Sequence, residues 1–231
     1  MKVGGLQPVT LLDYPKKVAA IVFTSGCGFR CPFCYNPHLV LPGLMKKNKN
    51  LKVNDSLDFL RKRKKYLDGV VITGGEPILQ KGLSNFLRSL KKMGYLVKLD
   101  TNGFNPEILG ELMKKKLVDY VAMDIKGPLD KYEKFCGIKL DRGKIKESIK
   151  LIKASGLDYE FRSTLVKGLH GKGDVKKMAQ LIKGAKKYFL QNFNHPGKLV
   201  ENKFKGRSFL PKEMEEFRQI IKPYAAECKT R

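Results

Sequence analysis

Six short apolar runs, alternating with stretches of helical periodicity, constrain this 231-residue chain more than any other feature. The runs lie at 18–23, 69–73, 95–100, 119–125, 157–166 and 187–193. Between them apolar residues recur at spacings of three, four and seven: Leu83, Phe86, Leu87 and Leu90; Ile108, Leu109 and Leu112; Ile145, Ile149 and Ile152; Met178, Ala179, Ile182 and Ala185. Continuous apolar runs suit strands buried on both faces, and the helical spacings suit one buried face per helix. Their alternation predicts an α/β chain of parallel units joined by right-handed crossovers. Six units are too few for a closed eight-fold barrel. Residues 1–17, punctuated by Gly and Pro, predict a short strand or hairpin entering the sheet. Residues 36–50 read as an exposed loop with room for one short helix. Asn54 or Asp55 is expected to cap a helix through Leu57, Leu60 and Leu67. The tail, 195–231, reads as a loop and one last helix, starting near Pro211 and ending before Pro223. The length suits a single domain over 1–231, with its core at about 18–194.

No apolar run is long enough to cross a bilayer, and the N-terminus lacks a signal-peptide pattern. Five cysteines are too few for a disulfide framework and fit a reducing cytoplasm. Three of them, Cys27, Cys31 and Cys34, fall within eight residues on the loop that follows the first apolar run. Gly28 and Pro32 disfavour a helix there, so three thiolates can converge on one centre. A structural zinc site normally takes four protein ligands, and His38, Cys136 and Cys228 have no ligand spacing to the trio. A [4Fe–4S] cluster held by three thiolates leaves one iron open to a substrate or cofactor. Spacing alone leaves zinc and cluster both standing.

Other strand ends carry further chemistry. Gly74-Gly75-Glu76-Pro77 forms a turn whose carbonyls and carboxylate could accept hydrogen bonds from an ammonium, or a plain tight turn. Asp100, Thr101 and Asn102 end one strand, and Met123 and Asp124 the next, with Lys126 just beyond. Two carboxylates at neighbouring strand ends repel unless a cation or a lysine sits between them. Thr101 and nearby carbonyls add hard oxygen ligands suited to a metal cation, although short acidic strand ends also cap turns. Arg162, inside an apolar strand, needs an anionic partner, either a cofactor carboxylate or a structural carboxylate.

The CxxxCxxC spacing with aromatic Phe33 before the last cysteine, and the Gly74–Pro77 turn in second place, resemble the radical S-adenosylmethionine (SAM) superfamily. That resemblance implies a partial (β/α)6 barrel of the radical SAM type with a short C-terminal helical tail. It implies one [4Fe–4S] cluster on Cys27, Cys31 and Cys34, whose open iron chelates S-adenosylmethionine. It places Phe33, Gly74, Gly75, Glu76, Pro77, Asn102, Lys126 and Arg162 around the cofactor, with the turn at Glu76 on its amino group and Lys126 and Arg162 on its carboxylate. Activases of the pyruvate formate-lyase type often carry a histidine on the sixth strand; this chain departs from them there, and Gln191, Asn192 and Asn194 are the candidates to meet the ribose or adenine. The segments at 99–103 and 123–126 look specifically like the glycyl-radical-enzyme activases, where Asp100, Thr101, the Met123 carbonyl and Asp124 would hold a monovalent cation. No general base is required for reductive cleavage to the 5′-deoxyadenosyl radical. Cys136, Cys228, His38, His170 and His195 are given no role.

Gly4-Gly5-Leu6-Gln7 and Leu12-Asp13-Tyr14-Pro15, with the cysteine block, resemble the anaerobic ribonucleoside-triphosphate reductase activating proteins. The implied substrate is a glycine Cα–H in a glycyl radical enzyme partner. Two other classes compete: a radical enzyme acting on a small molecule, of the deazapurine synthase type, or on RNA; and a non-catalytic zinc- or cluster-binding nucleic-acid module. The net charge is +25, with lysines clustered at 46–49, 61–65, 91–92, 114–116 and 183–187. Such a surface is either simply solvated, as in heat-adapted proteins, or attracts acidic partners such as a flavodoxin or ferredoxin electron donor. No recognised RNA-binding module appears, which disfavours nucleic acid.

Overall fold

The computed structural model describes residues 1–47, 49–194 and 197–231. Asn48, in the expected 36–50 loop, and His195 and Pro196, where the tail was expected to begin, lie outside the described residues. The chain divides into two compact units. The first comprises Met1–Gly28, His38–Thr101 and Asn105–Val121; the second comprises Phe29–Pro37, Asn102–Phe104 and Ala122–Arg231.

In the first unit, β1 (Val3–Thr10) runs antiparallel to β2 (Ala19–Thr24), the hairpin expected for the N-terminal segment. The cysteine loop is followed by two single-turn helices, α1 (Pro37–Val40) and α2 (Pro42–Met45), where one short helix was expected. Leu39 and Val40 are buried, so this stretch is not uniformly exposed. The next helix, α3 (Val53–Arg63), begins earlier than Asn54 or Asp55 would dictate. Lys52 occupies the cap position without a side-chain bond, and Asp55 sits in the first turn, where the helix dipole favours an acid. Then come β3 (Gly69–Gly74), α4 (Leu83–Lys92), β4 (Leu96–Thr101) and α5 (Pro106–Lys114). All four apolar positions read for α4 are buried. Asn105 accepts a hydrogen bond from the Ile108 amide and Pro106 opens α5, the expected chemistry of a helix start. β2, β3 and β4 are parallel, with Thr24 opposite Gly74 and Ile72 opposite Leu99. That register brings the loops after β2 and β3 out at one edge.

β5 (Tyr120–Asp124) contributes its first two residues to the first unit and the rest to the second. The second unit continues with α6 (Tyr132–Cys136), α7 (Arg142–Ala154), β6 (Asp158–Leu165), α8 (Lys172–Leu181) and β7 (Ala185–Asn192). Ile145, Ile149 and Ile152 of α7 are buried as the spacing predicts. Ala185, read as part of the α8 face, instead opens β7. The tail contains α9 (Pro211–Ile221), opened by Pro211, and then a strand that was not foreseen, β8 (Ala225–Thr230), parallel to β7. β6 also pairs in parallel with β7, Thr164 lying opposite Gln191. Among the described residues no helix is long and apolar enough to cross a membrane.

Candidate active site

In the first unit the strand exits are shaped by backbone. β3 ends with Gly74 at φ +113°, and a Cβ there would lie 2.4 Å from the Thr24 nitrogen. A Cβ on Gly75 would lie 2.2 Å from the Gly26 carbonyl oxygen, so the two strand-exit loops cross at a distance only glycine allows. The Gly75 amide donates to the Thr24 carbonyl at 2.8 Å and the Glu76 amide to the Gly26 carbonyl at 2.7 Å. Cys27 follows immediately, partly exposed. Glu76 is only 2% exposed. Its Oε1 accepts from the Ile78 amide at 3.3 Å, capping the 3-10 turn opened by Pro77, and from Thr101 Oγ1 at 2.7 Å. Asp100 forms an ion pair with Lys98, two residues away on the same strand face and 1% exposed.

In the second unit the candidate residues are gathered by side-chain contacts. The Cys34 amide donates to the Cys31 carbonyl at 3.1 Å, closing a turn between the two thiols. Phe33 between them is buried. Asp124 accepts from Lys126 Nζ on one carboxylate oxygen and from Arg162 Nε on the other, both at 2.9 Å. Burial opposes the charge on Asp124, but the Arg162 guanidinium and the Lys126 ammonium outweigh it and hold the carboxyl well below the usual carboxylate range. Burial likewise opposes the charge on Lys126, but the Asp124 carboxylate and the thiolates of Cys31 and Cys34 raise it well above an ordinary lysine. Burial pushes the Cys34 thiol up, against a backbone hydrogen bond at Asn36 and the Lys126 charge. Arg162 also lies 4.0 Å from the fully buried Glu160. The carboxylate partner weighed for this arginine is therefore present in its own unit.

Other expected site residues have clear local partners. The side chain of Asn102 accepts from the Phe104 amide at 3.0 Å. Gly103 beside it packs on Met123, whose Cε would sit 2.1 Å from a Cβ. Gln191 accepts from Thr164 Oγ1 at 3.5 Å. Asn192 donates to the Phe209 carbonyl at 2.8 Å and accepts from the Phe209 amide at 2.9 Å, which ties β7 to the tail. Sequence reasoning missed Lys98, Glu160, Tyr132 and His170. Lys98 and Glu160 each break an apolar strand run, a signal that was available and used only for Arg162.

Among the described residues no three His, Cys, Asp or Glu side chains converge closely enough to hold a single metal ion. Among the described residues no disulfide joins any of the five cysteines. The donor set suits a cluster in kind: thiols on a short glycine- and proline-containing loop, with the Lys126 charge partly offsetting the burial that pushes the Cys34 thiol up.

Comparison with known proteins agrees. The family model of the radical SAM superfamily matches residues 21–182. A Methanocaldococcus jannaschii protein provisionally described as a glycyl-radical enzyme activating enzyme is 36% identical over 232 residues, 96% of this chain and 92% of its own. The pyruvate formate-lyase-activating enzyme of Clostridium pasteurianum is 30% identical over 79% of this chain and 76% of its own. Among solved structures, Streptococcus suis SuiB bound to S-adenosylmethionine superposes with a TM-score of 0.67 at 15% identity, covering 90% of this chain. The chain spans about half (51%) of SuiB. The shared fold, the family match and the cysteine loop at the end of β2 together make this chain a member of the radical SAM superfamily, an enzyme that uses a [4Fe–4S] cluster and S-adenosylmethionine.

Proposed function

We propose that this enzyme installs a glycyl radical on a partner protein, such as an anaerobic ribonucleoside-triphosphate reductase. The observation that carries this reading is the 36% identity, across nearly the whole of both chains, to a relative described as an activating enzyme of that kind. Cys27, Cys31 and Cys34 are the proposed ligands of one [4Fe–4S] cluster. When bound, the cluster and S-adenosylmethionine supply reductive cleavage of the sulfonium and the 5′-deoxyadenosyl radical that takes hydrogen from the substrate glycine.

The chain's own residues bind and orient. The turn at Gly74, Gly75, Glu76 and Pro77 offers acceptors to the amino group of the cofactor. Lys126 and Arg162, gathered by Asp124, offer positive charge to its carboxylate. Phe33, Asn102, Gln191 and Asn192 are proposed to line the rest. A monovalent cation on Asp100, Thr101, Met123 and Asp124 would compete with Lys98 and Lys126, which already pair with the two carboxylates. The +25 charge supports an acidic flavodoxin or ferredoxin as electron donor, in a reducing cytoplasm.

The test is radical yield. Anaerobically reconstituted enzyme, a reductant and S-adenosylmethionine, mixed with a glycyl radical reductase from the same cell, should give a glycyl radical in the paramagnetic resonance spectrum. Replacing any of Cys27, Cys31 or Cys34 with Ala should bring bound iron and that signal to background. A spectrum without a glycyl radical, alongside turnover of a nucleotide, a deazapurine or RNA, would overturn the activase reading.

A further inference from the structure

A buried histidine that the proposed function leaves unused sits against the cysteine loop of the second unit. His170 is 5% exposed, in the loop between β6 and α8. Both of its ring nitrogens are engaged by backbone. The Val166 amide lies 3.1 Å from Nδ1, and the Lys126 carbonyl oxygen lies 3.0 Å from Nε2. An amide N–H can only donate and a carbonyl can only accept. Nδ1 must therefore be bare and Nε2 must carry the hydrogen, so one neutral tautomer satisfies both bonds and imidazolium satisfies only one.

The surroundings make this ring a joint. Its faces and edges meet Phe135 of α6, with ring centres 4.6 Å apart, and Phe33 of the cysteine loop at 6.2 Å. The Lys126 amide donates to Tyr132 Oη at 3.3 Å, so the backbone of Lys126 is held through both its N–H and its C=O. Gly127 packs so closely that a Cβ would lie 2.3 Å from the Phe135 ring. α6 reaches the cysteine loop as well: the Arg30 amide donates to the Cys136 carbonyl at 2.7 Å, and a Cβ on Gly137 would lie 2.1 Å from the Arg30 carbonyl oxygen. Residues 29–34, α6, His170 and the 126–127 segment thus pack as one body within the second unit.

We propose that His170 is a positioning residue for the reaction: as a single Nε2–H tautomer it holds the Lys126 backbone and, through Phe33, keeps the Lys126 ammonium in register with the loop bearing Cys31 and Cys34. The proposal rests on the reading of Lys126 as a contact of the cofactor carboxylate. Burial lowers the His170 pKa to about 4, against the backbone bonds to Lys126 and Val166 and the nearby Asp174 charge, with Lys134 adding to the fall, which favours the neutral ring that the two bonds require.

Cluster-loaded enzyme tests it. Nitrogen-15 spectra of the imidazoles should show His170 as the Nε2–H tautomer at pH 7, and still at pH 5.5. An Nδ1–H tautomer or an imidazolium would overturn the proposal without any variant. His170→Phe keeps a ring in the cage and removes both bonds. It should retain iron and sulfide while weakening S-adenosylmethionine binding about tenfold, read from the reduced-cluster resonance signal. His170→Gln, which can offer an N–H to the Lys126 carbonyl, should recover most of that loss. Wild-type affinity in His170→Phe, with Lys126→Met weakened, would sink this proposal alone. Wild-type affinity in Lys126→Met would instead remove the site reading on which it stands.

Discussion

The two units arrive at their functional ends by different means. In the first, the exits of β2 and β3 are shaped by backbone bonded to backbone, with Gly74 and Gly75 where any side chain would collide. In the second, the corresponding work falls to side chains drawn from separate elements: Asp124 from β5, Lys126 just past it, Arg162 from β6, Tyr132 from α6 and His170 from a loop. A backbone-built site tolerates no added atom and demands glycine at fixed places. A side-chain-built site tolerates isosteric change in its fold and responds instead through charge.

The sharpest way to break this comparison is Gly75→Ala. Its Cβ meets backbone, which cannot swing aside, so the expected loss is about 3 kcal/mol or more, seen as a fall in Tm of about 6–12 °C. A Tm within a degree of wild type would show that the crossing is loose. Next comes the stability contribution of His170. Its folded pKa, about 4, lies below the ordinary 6.5, so the unfolded chain binds the extra proton first. Stability from this group is therefore full above about pH 6.5 and is lost as pH falls toward 4; the gap of about 2.5 pH units corresponds to about 3 kcal/mol. Denaturant unfolding across that window should show the slope in wild type and a shallower one in His170→Phe.

Asp124→Asn should cost somewhat less, about 2–3 kcal/mol, because the Lys126 and Arg162 charges it leaves behind keep some contact with water. The same variant should change the binding of S-adenosylmethionine while leaving iron content intact; loss of iron instead would assign Asp124 to the loop rather than to the cofactor. The smallest effect is expected from Cys136→Ala. This buried thiol lies 3.4 Å from the Ile138 carbonyl and its replacement removes one small apolar group, about 1 kcal/mol, with iron content unchanged. Iron loss in that variant would contradict a site of three cysteines.

The contrast also explains what the sequence made legible. Cys27, Cys31 and Cys34 and the Gly74–Pro77 turn stand out because a backbone-built site concentrates its demands in short contiguous runs. The rhythm of β2 to β7 was legible for a related reason: strands buried on both faces carry unbroken apolar runs. β8 was not, since Ala225, Ala226, Glu227 and Lys229 make no apolar run and the strand is half-exposed at the edge. Arg162 was found as a charge inside an apolar strand and Lys126 through family resemblance, while His170 and Tyr132 were given no role. Residues 126, 132, 162 and 170 become neighbours only through the packing of α6, β6 and the loop after it, and no periodicity encodes that. Lys98 was legible in the same way as Arg162, a charge breaking an apolar strand run, and was passed over because its apolar neighbours dominate the reading.

The exit of β2 has a further consequence, for the order in which the enzyme is assembled. The Ser25 amide donates to Lys2, the Gly26 amide to Leu39, and the carbonyls of Thr24, Ser25 and Gly26 receive Gly75, the Gln80 side chain and Glu76. Every one of these bonds is internal to the protein. The segment that delivers Cys27 is thus spatially defined by folding alone, and the conformational entropy of arranging it is spent before iron and sulfide arrive. In cluster-free enzyme the amides of Gly26, Gly75 and Glu76 should exchange with deuterium as slowly as those of the strands they leave, and cluster loading should leave that protection unchanged.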